Sequence, residues 1–446
     1  MPLKPDTLPT VPPAQALLVG VDPHRATHTV CIMNQDGHEL CARFRVPNNR
    51  RGVQLLARRL NDLAQADGYT QVRLAIEATN WYWLGLCYTL PKVCALPVES
   101  RAINPRLSAN FKKVLMNDEH TDSADAFAIA ERLRMGRDLP PPFSPDALYL
   151  PLRLLTRYRF HLVQRLISEK AYAANLIYLK ASDYTAPDTQ PFSDVFGATS
   201  RAVLTEFASF EQILDMSLDD LAAWLAQRGK RRFTDPMATA RKLHAVAQAS
   251  FVLPAPFQHS LQIALDLSLQ HIAALEAHLK RLDVAITQQL AALNIPNTLT
   301  TIPGIGPVLA AGLIAEIGDV HRFNCDDDKV AKLAGFTWRR HQSADFVAED
   351  TPITQHCNRY LRYYFCEAAQ LVRIHEPEYA AFYQKKYTEA SRHHHKRALV
   401  LTARKLVRLV VHLLATRQAY RPPEVDSHSR ATSRRQAANP TEQLNR

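Results

Sequence analysis

The sequence predicts an α/β domain followed by a larger, mostly helical region, and three observations carry that reading. Strand-like and helix-like runs alternate between residues 17 and 145. From residue 152 onward apolar side chains recur at helical spacing, with one very long helix among them. Between the two regions lies the stiff run Leu139-Pro-Pro-Pro-Phe143.

The first domain reads as follows. Residues 17–21 are a short apolar strand, and the turn Pro23-His24-Arg25 leads into a β-branched strand over 27–33. Asn34-Gln35-Asp36-Gly37 makes a second turn before a third strand over 40–46. A helix over 49–66, a strand over 72–76, a helix over 81–90, a strand over 93–98 and a helix from Asp122 to about residue 133 complete a mixed sheet with helical cover. A basic helix then covers 152–180, carrying Arg153, Arg157, Arg159, Arg165 and Lys170. Residues 184–255 yield only short helical pieces such as 218–228. Over 258–293, Ile272, Leu275, Leu279, Leu282 and Ile286 follow 3-4-3-4 spacing, a seam that needs a partner helix. Either the 152–180 helix or a second subunit can supply it. Helices continue from 301 to about 417, and the polar stretch from Arg421 reads as a disordered tail.

Composition narrows the function classes. No stretch approaches the roughly 18 apolar residues of a membrane span, and the proline-rich start lacks a signal-peptide pattern. Seven cysteines without CxxC spacing read as reduced thiols and disfavour structural zinc. Lys and Arg total 54 against 43 acidic residues, a net +11 that suits a polyanion partner or simply solubility.

Four carboxylates stand out. Asp22 and Glu77 each end an apolar strand, and Asp122 and Asp125 lie i,i+3 at the start of a helix, on one face. Such a set, brought together, would repel unless cations compensated, and hard oxygen donors suit Mg²⁺. Each acid also has an ordinary alternative: Asp22 capping a turn, Glu77 paired with a nearby arginine, Asp122 serving as its helix N-cap. Asp118 and Glu119 are rivals that precede the helix.

Two features mark the second half. Ile302-Pro-Gly-Ile-Gly-Pro307 before an apolar helix resembles a helix-hairpin-helix turn, in which Gly304 and Gly306 would let the backbone approach phosphate. Ser343 follows Arg339, Arg340 and His341, so arginines could stabilise phosphoryl charge and the histidine accept a proton. Chemistry alone does not single that serine out. Arg359, Arg362, Lys385, Lys386, Arg392, Lys396 and Arg397, interleaved with tyrosines, make a fair nucleic-acid surface, and the His393–His395 run reads as a solvated basic face.

These motifs together resemble the DEDD transposases of bacterial insertion sequences, the IS110 group of bridge-RNA-guided recombinases. Val19-Gly-Val-Asp22, Glu77-Ala-Thr, Asn104-Pro105 and Thr121-Asp-Ser-Ala-Asp-Ala126 match the first-half blocks. Ile302-Pro-Gly-Ile-Gly-Pro, Ala315-Glu-Ile-Gly-Asp319, Leu333-Ala-Gly335, Gln342-Ser343 and Asn358-x-x-Leu-Arg362 match the second half. The resemblance implies that Asp22, Glu77, Asp122 and Asp125 bind Mg²⁺ on a RuvC-like, ribonuclease H-like domain, and that Ser343 forms a transient phosphoserine bond with DNA. It implies a structured guide RNA, donor and target DNA, a homo-oligomer whose subunits share sites, and a cytoplasmic, nucleoid-associated location. Asn358 and Arg362 join Gly304, Gly306, Arg339 and Arg340 as expected nucleic-acid contacts. The chain departs from the pattern at Ser343-Ala344, commonly Ser-Gly, and at Gln355-His-Cys-Asn358, commonly Lys-x-Gly-Asn. The expected organisation is an N-terminal extension (1–14), the DEDD domain (15–145), a helical coiled-coil region (146–298), the serine-bearing domain (299–418) and a basic tail (419–446). The rival readings are a junction-resolving nuclease that attacks with water and a non-catalytic nucleic-acid-binding protein.

Overall fold

A computed structural model describes residues 15–105, 108–111, 121–136, 139–143, 149–229, 235–293, 298–338, 342–343, 346–347, 353–355 and 357–422. The N-terminal extension, Asp118, Glu119, Arg339, Arg340, His341 and the tail beyond Pro422 lie outside them. The chain divides into two units, Met1–Ala147 and Leu148–Arg446.

The first unit is mixed α/β. Strands β1 (Ala16–Pro23), β2 (Thr27–Met33), β3 (Phe44–Pro47), β4 (Gln71–Glu77) and β5 (Val98–Ile103) form a five-stranded sheet in the order β3-β2-β1-β4-β5. The hairpin pairs β1/β2 and β2/β3 are antiparallel; β1/β4 and β4/β5 are parallel. Helix α1 (Arg50–Asp67) starts at Asn49, whose side chain accepts from Gly52 N–H, and stops at Gly68 in the left-handed region, φ 76°. Central β1 is buried along its whole length, as a strand covered on both faces must be.

One face of this sheet is set by parity. Ala16, Leu18, Cys31, Met33 and Ala75 pack with Ala126, Ile129, Ala130 and Leu133 of α3 (Asp122–Met135), which follows α2 (Leu84–Val93) and β5. Gly20 lies on the same face. A Cβ there would stand 2.2 Å from the Ala126 carbonyl oxygen, so only glycine lets α3 sit this close to β1.

Two elements differ from the sequence expectation. The strand expected over 93–98 is instead helix end and turn: α2 runs to Val93, and the Asn61 side chain accepts from Ala95 N–H at 3.0 Å. Sheet pairing begins only where Val72 N–H meets the Pro97 carbonyl at 2.9 Å. The true strand, Val98–Ile103, carries Glu99 and Arg101, which pair at 2.8 Å and break up its apolar run. The third strand is also shorter than expected: Glu39 makes an isolated bridge to Met33, Leu40 N–H donates to the Ile32 carbonyl at 3.0 Å, and the continuous ladder spans only Phe44–Pro47.

The second unit is helical apart from one short hairpin among the described residues. Helix α4 (Tyr149–Lys180) lies antiparallel along α9 (Ala255–Ala292), as the contacts Arg159–Asp283, Lys170–Glu276 and Lys180–Gln262 show. The seam of α9 thus finds its partner within the chain. Arg159 and Lys170 of α4 are used in that pairing, and Arg153 and Arg157 pair instead with Glu316. At one end of the hairpin, Tyr184, Phe192, Phe210 and the shorter helices α5 (Ala198–Glu206), α6 (Glu211–Leu214), α7 (Leu218–Arg228) and α8 (Pro236–Ala249) build a separate core. At the other end, Leu152, Ile286 and Leu290 join the core of α10 (Pro307–Ile317), α11 (Asp327–Ala334), α12 (Arg359–His375), α13 (Pro377–Thr388) and α14 (His394–Thr416). No described helix is long and apolar enough to cross a membrane.

Candidate functional site

Sheet register brings the acids of the first unit together. Val21 and Ile76 are partners across the parallel pair β1/β4, so Asp22 and Glu77 end neighbouring strands at the same edge. Both share the face that α3 covers. Thr121, not Asp122, is the N-cap of α3: its hydroxyl accepts from Ala124 N–H at 3.1 Å. Asp122 and Asp125 are thereby free of the capping role and stand in the first helical turn, where the helix dipole favours negative charge.

The charges of the other three acids bear on Asp22. Burial pushes the Asp22 carboxyl up to about 6, and the charges of Asp125, Glu77 and Asp122 push the same way, against the opposing influence of His24. Asp22 is only 8% exposed, so water does little to relieve that repulsion. Glu77 accepts a hydrogen bond from the Thr79 hydroxyl at 2.6 Å, and no arginine among the described residues pairs with it.

Two further side chains enter the site that sequence reasoning did not place there. The imidazole of His24 lies with Nδ1 3.5 Å from Asp22 and Nε2 3.8 Å from Asp122. Asp22, His24 and Asp122 offer ligand atoms within 4.8 Å of one another, a group able to hold a metal ion. Arg45 Nη2 donates to Asp122 at 2.7 Å. The signal for Arg45 is register: Asp22 faces Thr29, and Thr29 faces Arg45, a line across three strands. For His24 it is period two, which returns residue 24 to the side of residue 22.

Ser343 belongs to the second unit. It lies in a two-residue strand, Gln342–Ser343, which pairs antiparallel with Phe346–Val347. The base of its segment is pinned. Trp338 bridges Ile353, and Thr354 N–H donates to the Thr337 carbonyl at 3.0 Å. Arg362 donates to the carbonyls of Ala334 (3.1 Å), Gly335 (3.0 Å) and Thr354, tying both ends of the segment to α12. Asn358 caps α12 by accepting from Tyr360 and Leu361 N–H, and its amide donates to Glu316 at 2.7 Å. These two side chains, expected to touch nucleic acid, also have protein partners.

Gly304 is also turned inward. Its φ is +95°, and a Cβ would come within 3 Å of the α12 backbone at Leu371 and Val372. Gly306, the residue before α10, is open to solvent.

Comparison with known proteins gives this site its setting. A DEDD transposase domain model of the IS110 type matches residues 19–177, which hold all four carboxylates. The model described as "Transposase IS116/IS110/IS902 family" matches residues 297–384, which hold Ser343. The chain belongs to this transposase family. The transposase is 27% identical over 411 residues to the uncharacterized 44.8 kDa protein of insertion element IS116 of Streptomyces clavuligerus, covering 91% of this chain and 96% of that one. It is 24% identical over 420 residues to the uncharacterized 42 kDa protein of insertion element IS900 of Mycobacterium paratuberculosis, covering 92% and 98%.

Proposed function

We propose that this DNA transposase cuts and rejoins strands with a Mg²⁺-binding carboxylate set and a serine nucleophile, on a RuvC-like first unit. The observation that carries the metal reading is Asp22: a buried carboxyl beside three other acids, its proton affinity raised, needs a cation to ionise fully. Asp22, Glu77, Asp122 and Asp125 are the proposed ligands, with His24 beside them. Mg²⁺, when bound, neutralises this charge and steadies the oxygens of a phosphodiester in displacement.

In this reading the Ser343 hydroxyl attacks phosphorus, loses its proton, and forms a phosphoserine bond as the strand oxygen leaves with a proton. A hydroxyl of the receiving strand then reverses the exchange, so bond number is conserved and no external energy source is needed. The family resemblance supports the serine, a structured guide RNA, and assembly of several subunits. The net charge of +11 supports a nucleic-acid partner.

Ser343→Ala tests the chemistry. Loss of both strand transfer and a covalent protein–DNA adduct supports the serine; undiminished cutting would assign the attack to water, as in a junction-resolving nuclease. Sequencing the RNA that copurifies with the transposase tests the guide: absence of any structured RNA counts against it.

A further inference from the structure

The second unit carries a groove of about 730 Å³ that neither the acidic set nor the serine accounts for. Trp338, Phe382 and Tyr420 line it together with Arg404, Lys405 and Arg408. We propose that it receives an unpaired nucleotide of the DNA strand undergoing exchange, its base stacked on Trp338. This rests on the reading that the strand is cut at the segment carrying Ser343.

Three observations lead to that occupant. The first is the aromatic wall. Trp338 remains 39% exposed although its neighbour Phe336 is fully buried, leaving an indole face to the groove. Stacking requires a flat, partly open ring and is indifferent to base identity. The volume lies within the range of small-ligand sites, enough for a nucleotide and too confined for a duplex.

The second is how the charges are shared out. Arg404 is held by Asp327 at 3.0 Å and by Asp328. Lys405 is held by Glu378 at 2.6 Å and lies over the Tyr379 and Phe382 rings, 4.9 and 4.8 Å from their centroids. Those cations are framework, and they occupy the acids around the groove. Arg408 is different: its side chain is 80% exposed and its contact with Asp327 is 3.8 Å long. It stands ready for a phosphate while Trp338 takes the base.

The third is position. Trp338 opens the segment that carries Ser343, and its bridge to Ile353 closes the base of that segment. A base docked there would hold a broken strand at the base of the segment that carries the proposed nucleophile. Duplex bases are already stacked and paired, so the groove discriminates for the strand once it has been opened.

The test uses the full-length transposase and a fluorescent single-stranded DNA of roughly ten nucleotides, within the span of known single-strand sites. Its duplex and an RNA of the same sequence serve as rival ligands. Trp338→Ala should weaken single-strand binding about tenfold, the effect of one lost stack, while Trp338→Phe keeps most of it. Duplex binding should stay within about twofold. Arg408→Ala should cost about threefold and flatten the salt dependence. A 2-aminopurine in the strand should be quenched by the wild type and not by Trp338→Ala. Equal single-strand affinity in Trp338→Ala overturns the proposal, as does equal loss toward duplex, or RNA preferred over DNA with the same Trp338 dependence. Truncation after Pro422 identifies a different occupant, the chain's own tail, if it alone raises single-strand affinity about tenfold and brings out a Trp338 effect that the full chain lacks. The two readings separate in Ser343→Ala. That variant should bind single strands as tightly as wild type; if it still cuts DNA, the serine assignment fails while the Trp338 result stands.

Discussion

Two buried carboxylates, one in each unit, meet opposite surroundings. Asp22 is 8% exposed among like charges, and its carboxyl is pushed up to about 6. Glu316 is 1% exposed. Burial alone would push its carboxyl up as well, but Arg157 donates to it at 2.7 and 2.9 Å, Arg153 lies 3.9 Å away and Asn358 donates at 2.7 Å. Those partners hold Glu316 below the usual carboxylate range. The difference separates a site from a staple. A fully paired buried acid fixes α4, α10 and α12 to one another, whereas an acid left among other acids suits the cation site proposed above.

Removing each charge should therefore have opposite consequences. Glu316→Gln strands Arg153 and Arg157 without a counter-charge and should destabilise the second unit by about 3 kcal/mol, read by chemical denaturation. Asp22→Asn relieves repulsion and should stabilise the metal-free first unit by about 1 kcal/mol while removing its response to Mg²⁺. Equal and large losses from both variants would erase the distinction.

Next in size is Gly20→Ala. The new methyl meets the Ala126 carbonyl and Ala130, so α3 must move. A loss of about 2 kcal/mol is expected, with weakened metal binding because Asp122 and Asp125 ride on that helix. A variant of unchanged stability and metal affinity would show that the close approach does not set the site.

The two acids also predict opposite pH responses. Asp22 has a folded value of about 6, above its ordinary 3.8, so its stabilising contribution is complete below about pH 4 and lost as pH rises through 6. Over that window the metal-free first unit should weaken by roughly 2 kcal/mol, and Mg²⁺ should flatten the slope. Glu316 lies below its ordinary 4.5, so its contribution is present above about pH 4.5 and lost as pH falls further. Unfolding curves of the full chain between about pH 2.5 and 8, with Asp22→Asn and Glu316→Gln as controls, check both signs. The smallest effect concerns Arg45, 64% exposed, which competes with a cation for Asp122. Arg45→Ala should tighten Mg²⁺ binding by about threefold, the modest scale of an exposed pair.

Much of this arrangement was legible in the sequence. The apolar strands ending at Asp22 and Glu77, the i,i+3 spacing of Asp122 and Asp125, and the helix over 218–228 all follow from short-range periodicity. What escaped depends on pairing over distance. His24 and Arg45 join the acids only through sheet register, and the shift from 93–98 to Val98–Ile103 reflects a helix that outlasts its proline. For Asn358 and Arg362, expected to touch nucleic acid, the motif carries no sign of the protein partners they also have. Their partners are Glu316 and the backbone at Ala334, Gly335 and Thr354, all decided by tertiary packing.

Calorimetric titration of Mg²⁺ into the full-length transposase and into Asp22→Asn at pH 7.5 tests the central claim most directly. The account predicts saturable binding to the wild type and at least tenfold weaker binding to the variant, since a buried charged ligand is lost. Equal binding by both proteins, or none by the wild type, would contradict it.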